Sequence, residues 1–197
     1  MNRRDPRPWT VEELIKAGML GGLLLLLILC LVDATRRHAE AAVMATSPSS
    51  DHQPKDLLFP VPAVASSAMA DSFNDSRGER VHHAVDILAP RHSNVVAVAD
   101  GVIARLMTSV AGGIAAYEWS ADRRLVYYYA HLESYAPDLA EGQTITRGQV
   151  LGYVGSTGNA PANTPHLHFA ISRVERAGQW WGGSSVNPYP LLRGTER

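Results

Sequence analysis

One cysteine in 197 residues, Cys30, excludes an intramolecular disulfide and a cysteine-based zinc site. A bound metal would have to be held by His, Asp or Glu. Charge of neither sign dominates. The formal net charge is −1, which leaves no electrostatic footprint for nucleic acid. No internal repeat is visible, and no long amphipathic helix pattern occurs in the body of the chain, which argues against a helical or α/β fold. Hydrophobic residues make up 46% of the chain, but part of them sits in one N-terminal run and serves no globular core. The length suits one compact domain with appendages.

What is present begins with that run. Thr10-Val11-Glu12-Glu13 reads as a capping box, with Trp9 and Leu14 placed for a hydrophobic staple. A helix is expected from there to Val32, its apolar part rising roughly 24–28 Å, with Lys16 able to snorkel. Arg3, Arg4, Arg7 and Lys16 precede the run, while only Arg36 and Arg37 follow it closely. That bias puts the N-terminus in the cytoplasm and the remainder outside. The alternative is a cleaved signal peptide. No small-x-small site follows the run at once, Ala39-Glu40-Ala41 lies far downstream, and Leu29 before Cys30 does not suit a lipoprotein signal. Residues 1–33 therefore read as a cytoplasmic N-terminus and single transmembrane anchor helix. Residues 34–55, rich in Ala, Ser, Pro and charge, read as a flexible linker, and residues 56–197 as the folded domain.

The folded part reads as all-β and antiparallel, built from short, closely spaced strands. Asp56 to Val64 is expected as an edge strand, since Pro60 and Pro62 forbid a central one. Asn94 to Ala99 is Val-rich and ends in Asp100-Gly101, a hairpin signal, with Val102 to Leu106 returning. Ile114 to Trp119 and Leu125 to His131 flank a polar turn at Asp122-Arg123-Arg124. Val150 to Val154 precedes a turn at Gly155 to Asn159, and the tail from Gly178 to Pro190 is expected to wrap back onto the sheet.

The most informative stretch is Pro165-His166-Leu167-His168-Phe169-Ala170-Ile171-Ser172. On a strand, residues i and i+2 share a face. His166 and His168 then project together, while Leu167, Phe169 and Ile171 point into a core. By itself the pair fits surface histidines as well as a ligand role. Upstream stands His82-His83-Ala84-Val85-Asp86. A fully extended chain would hold His82 and Asp86 ~13 Å apart, too far to share an ion, so a shared role requires a bend, with Ala84 the expected place. In Tyr127-Tyr128-Tyr129-Ala130-His131, strand geometry puts Tyr127, Tyr129 and His131 on one face.

Together, His82-x-x-x-Asp86, Tyr129-Ala130-His131 and His166-x-His168 resemble the LytM/lysostaphin-type zinc metallopeptidases. Val98-Ala99-Asp100-Gly101-Val102, Gly148-Gln149-Val150-Leu151-Gly152 and Gly155-Ser156-Thr157-Gly158 match as well. The resemblance covers about residues 57–191. It implies one zinc ion held by His82, Asp86 and His168, with His131 and His166 catalytic but not ligands. It implies an endopeptidase that cuts cross-links in bacterial peptidoglycan; the N-terminal helix, read from its own apolar run and basic flank, would hold that domain at the cytoplasmic membrane on the extracytoplasmic side. The second function it allows is a non-catalytic regulator that binds and activates another cell-wall hydrolase or division partner. The family usually has Gly where Ala84 stands. If that position needs a positive φ, Ala costs ~1 kcal/mol.

Overall fold

The structure, a computed structural model, describes residues 57–194. The expected anchor helix and linker lie outside the described residues. Among the described residues no helix is long and apolar enough to cross a membrane.

In chain order the strands are β1 (Ser76–Arg77), β2 (Arg80–Val81), β3 (Val85–Leu88), β4 (Asn94–Val96), β5 (Gly101–Ser109) and β6 (Gly113–Ser120). They continue with β7 (Leu125–Tyr135), β8 (Thr144–Ile145), β9 (Val150–Val154), β10 (His166–Arg173) and β11 (Ser184–Val186). Every pairing is antiparallel. β1 and β2 form a separate hairpin, and the other strands make one sheet with the backbone order β11-β10-β7-β6-β5-β8. β3 adds to the N-terminal half of β10, and β9 links β7 to β4.

The alternation read in β10 holds. Leu167, Phe169 and Ile171 have no exposed surface, and burying side chains of this size stabilises the fold by ~1.5–3 kcal/mol each. They meet Tyr127 and Tyr129 of β7, whose rings lie 6.4 and 5.2 Å from that of Phe169. The tail does return: β11 pairs with β10, and the Trp119 indole donates to the Gln179 carbonyl at 2.8 Å.

Three expectations are corrected. Asp100-Gly101 does not join a hairpin, because β4 pairs with β9 while β5 pairs with β6 and β8. Gly101 has no positive φ; it is needed because a Cβ there would strike the Trp119 carbonyl on the neighbouring strand. The segment from Leu57 is not assigned as a strand. It keeps the alternation (Leu57, Phe59 and Val61 buried) and makes two backbone bonds with residues 96–98, Leu58 N–H to the Val98 carbonyl and Val96 N–H to the Pro60 carbonyl. The prolines deny it a continuous ladder. Finally, His131 does not share a face with Tyr127 and Tyr129. The β6–β7 register shifts between Ile114 and Ala116, so Ala130 and His131 together oppose Ala115, and His131 takes φ 60°. This bulge inverts the side-chain parity. Tyr127 and Tyr129 enter the core, and His131 turns to the opposite face with Tyr128.

Candidate metal centre

Register does most of the assembly. Asp86 of β3 and Ala130 of β7 both stand opposite His168 of β10, one on each side. Directly opposed residues present their side chains on one face. His82 arrives from the segment before β3, where the chain bends sharply. The left-handed residue of that bend is His83, at φ 55°, and not Ala84, which is fully buried at a negative φ. The absence of Gly at position 84 therefore costs no positive-φ strain. His83 is exposed and packs edge-on against Phe73 at 5.4 Å.

The three side chains meet closely. His82 Nε2 lies 3.1 Å from His168 Nδ1 and 3.1 Å from Asp86 Oδ1, and His168 Nδ1 lies 3.1 Å from Asp86 Oδ1. Tetrahedral bonds of ~2.0–2.1 Å place neighbouring donor atoms about 3.3 Å apart, so this triangle fits one face of a zinc tetrahedron. Two imidazoles and a carboxylate, with no thiolate, suit zinc chemically. His82 Nδ1 stands 2.9 Å from the Ser72 carbonyl. A carbonyl only accepts, so the proton is on Nδ1 and the Nε2 lone pair faces the triangle. The second Asp86 oxygen accepts from Arg77 Nη2 at 2.6 Å. Burial pushes the Asp86 carboxyl up, but the His168 hydrogen bond and the charges of His168, His82 and His166 outweigh it and hold it at about 2. Burial likewise lowers His82, which favours the neutral, ligating form.

His131 and His166 stand beside this triangle and outside it. Their rings are 4.9 Å apart, and that of His131 is 5.6 Å from His168. His131 Nδ1 lies 2.8 Å from the Thr157 carbonyl, and His166 Nδ1 lies 2.8 Å from the Thr164 carbonyl. A carbonyl only accepts, so the neutral form of each ring has its proton on Nδ1 and its lone pair on Nε2. Burial takes His131 down to about 4, leaving it neutral at pH 7. Both line a groove of about 470 Å³ that also contains the three clustered side chains.

Two supporting residues whose partners are far away along the chain had no role legible in the sequence: Arg91, and Thr157, which was legible only as part of a matched turn. Thr157 receives the Ile114 N–H and donates to the Leu132 carbonyl, which fixes the backbone carbonyl that holds His131. Arg91 clamps the loop between β9 and β10. It pairs with Glu133 and donates to Ser156 Oγ at 2.6 Å and to the Ala162 carbonyl at 3.0 Å. That loop supplies the carbonyl partners of both histidines. Arg91→Ala is therefore expected to lower kcat about ten- to hundredfold by misplacing them, with metal content unchanged and partial rescue by Arg91→Lys. An unchanged kcat would show that the loop is held without the clamp.

Comparison with known proteins agrees with this geometry. The model of peptidase family M23 matches residues 80–188. The L-Ala–D-Glu endopeptidase of Bacillus subtilis is 32% identical over 151 residues, covering 71% of this chain and 44% of the relative. The DD-carboxypeptidase/endopeptidase Mpg of Neisseria meningitidis is 38% identical over 109 residues, covering 55% of this chain and 22% of the relative. The chain thus spans less than half the length of these curated relatives. Among solved structures, a putative glycyl-glycine endopeptidase lytM from Ruminococcus gnavus superposes with a TM-score of 0.58 at 31% identity, covering 70% of this chain and 60% of that one. Helicobacter pylori Csd3 superposes with a TM-score of 0.55 at 27% identity, covering 72% and 34%. With its histidine and aspartate donors converging inside the matched region, the chain belongs to peptidase family M23 and has the LytM/lysostaphin-type fold.

Proposed function

We propose that this protein is a zinc endopeptidase that hydrolyses peptide bonds in bacterial peptidoglycan. The observation that carries the reading is the 3.1 Å triangle of His82, Asp86 and His168 beside two histidines whose Nδ1 atoms are tied to backbone carbonyls, which leaves the Nε2 lone pair of each neutral ring available. When bound, zinc supplies Lewis acidity toward a carbonyl and makes water acidic enough to react near neutral pH. His131 and His166 orient the attacking water and accept its proton through Nε2. Once protonated, one of them donates a hydrogen bond to the oxyanion that forms from the scissile carbonyl. Their Nδ1–H bonds to fixed backbone carbonyls hold each ring in place through both steps. The groove accepts a peptide: Val81 and Leu88, two of the large apolar side chains left exposed, line it.

The same reading places residues 1–33 as a membrane anchor, 34–55 as a linker and 56–197 as the peptidase domain, on the extracytoplasmic side. Its support is the basic excess ahead of the N-terminal apolar run. Relatives named for endopeptidase activity on L-Ala–D-Glu and DD bonds support the substrate class. The test is mass spectrometry of muropeptides after purified cell wall is incubated with the full-length protein. New peptide termini are expected, abolished by a chelator and restored by stoichiometric zinc. One zinc per chain with intact cross-links would instead favour a regulator of another hydrolase.

A further inference from the structure

We propose that the groove selects substrates by a free carboxylate next to the scissile amide, received by Arg80 with Arg77 beside it. This rests on the peptidase reading above. Arg77 and Arg80 are direct register partners in the β1–β2 hairpin, and both line the groove. Like charges placed directly opposite each other on a hairpin are destabilising, so the pair calls for a counter-anion. Arg77 has one, the Asp86 carboxylate at 2.6 Å. Arg80 has no ion-pair or hydrogen-bond partner among the described residues beyond its ladder bonds to β1. Asp86 is the single acidic residue lining the groove among the described residues, and its other oxygen is committed to the His82–His168 triangle. Among the described residues the guanidinium of Arg80 is thus an unneutralised charge in the lining of the groove.

The part of the lining supplied by the loop between β9 and β10 is different: Asn159, Ala160, Pro161 and Thr164 carry no charge. The groove is therefore polarised, cationic along the hairpin and neutral along the loop between β9 and β10. A peptide fits it best with its carboxylate on the hairpin side. The planar guanidinium fork matches a carboxylate with two parallel hydrogen bonds. Val81 and Leu88, 45% and 64% exposed, supply apolar contact for the alkyl part of such a residue. A stem peptide with a free α-carboxylate satisfies this wall. An amidated stem or a glycine bridge leaves Arg80 unpaired.

The test uses the full-length, zinc-loaded protein and two synthetic stem peptides that differ only in one carboxylate against carboxamide. The free acid is expected to show about tenfold higher kcat/KM, a ratio that shrinks with added salt. In Arg80→Gln the two peptides are expected to be cut at equal rates. Equal cutting by the wild type, or a ratio that survives in Arg80→Gln, overturns the inference. If neither peptide is cut, binding of the same pair is measured by fluorescence polarisation. Tighter binding of the acid that Arg80→Gln abolishes then supports carboxylate selection while the peptidase reading fails. Equal binding overturns the selection itself.

Discussion

Replacing His131 with Asn is expected to lower kcat by about 10²–10⁴-fold while zinc content stays at one per chain. The two halves of this outcome come from different atoms. His131 lies outside the 3.1 Å triangle of donor atoms, so its loss leaves His82, Asp86 and His168 in place. Its Nε2 is the unprotonated nitrogen in the groove, so its loss removes a proton acceptor. Asn is the informative replacement. Residue 131 sits in a bulge at φ 60°, a conformation that Asn adopts more readily than Ala, and its backbone N–H must still reach the Gly112 carbonyl at 2.8 Å. His168→Ala is the contrasting variant: it is expected to lose both the ion and activity. If His131 and His166 work as one unit, the double Asn variant will be little slower than the worse single one. Full activity in His131→Asn would remove this histidine from the mechanism. Loss of zinc from it would mean that the ligand set is wrongly drawn.

That bulge also marks the limit of what the sequence could show. Strand β10 was legible because its alternation is uninterrupted from Leu167 to Ile171, and each core-facing residue is apolar. The convergence of His82, Asp86 and His168 was legible because a resemblance joined two separated motifs, and the required bend between His82 and Asp86 followed from chain length alone. The parity of β7 was not legible. One extra residue in a ladder leaves no trace in composition, yet it moves every later side chain to the other face. Asp100-Gly101 misled for a related reason. The dipeptide has turn chemistry, but here the Gly is required by a close strand approach. Arg77 and Arg91 escaped because an arginine on a polar stretch looks like solvated surface until its partners, 9 to 71 positions away, are known; Thr157 was legible as part of a turn but not as the residue that holds His131.

The sheet carries a second testable group, on its buried side and outside the donor triangle. Glu118 of β6 is fully buried beneath it. Its Oε2 accepts from the Tyr129 hydroxyl at 2.6 Å, and that hydroxyl in turn accepts the Val98 N–H at 3.0 Å. Its Oε1 has no hydrogen-bond partner among the described residues. Burial pushes the carboxyl from 4.5 up to about 8; the Tyr129 bond opposes this and the charge of Asp100 adds to it. The protein is therefore expected to lose stability as pH rises. Below pH 4.5 the group is protonated in folded and unfolded chains alike. Between 4.5 and about 8 the unfolded chain releases the proton while the folded chain retains it, so each step upward favours unfolding. The full loss is on the order of 5 kcal/mol, complete above about pH 8. His82 and His131, both lowered by burial, act with the opposite sign below 6.5, where the unfolded chain takes up their protons. Comparison with Glu118→Gln cancels their contribution. Urea denaturation of the full-length protein across pH 5–9 should give two curves that meet near pH 5 and diverge steadily to pH 8, with the Gln variant the more stable at the alkaline end. Parallel curves would mean that Glu118 ionises in the folded protein at an ordinary pH, and that water or a backbone shift reaches Oε1 beneath the sheet.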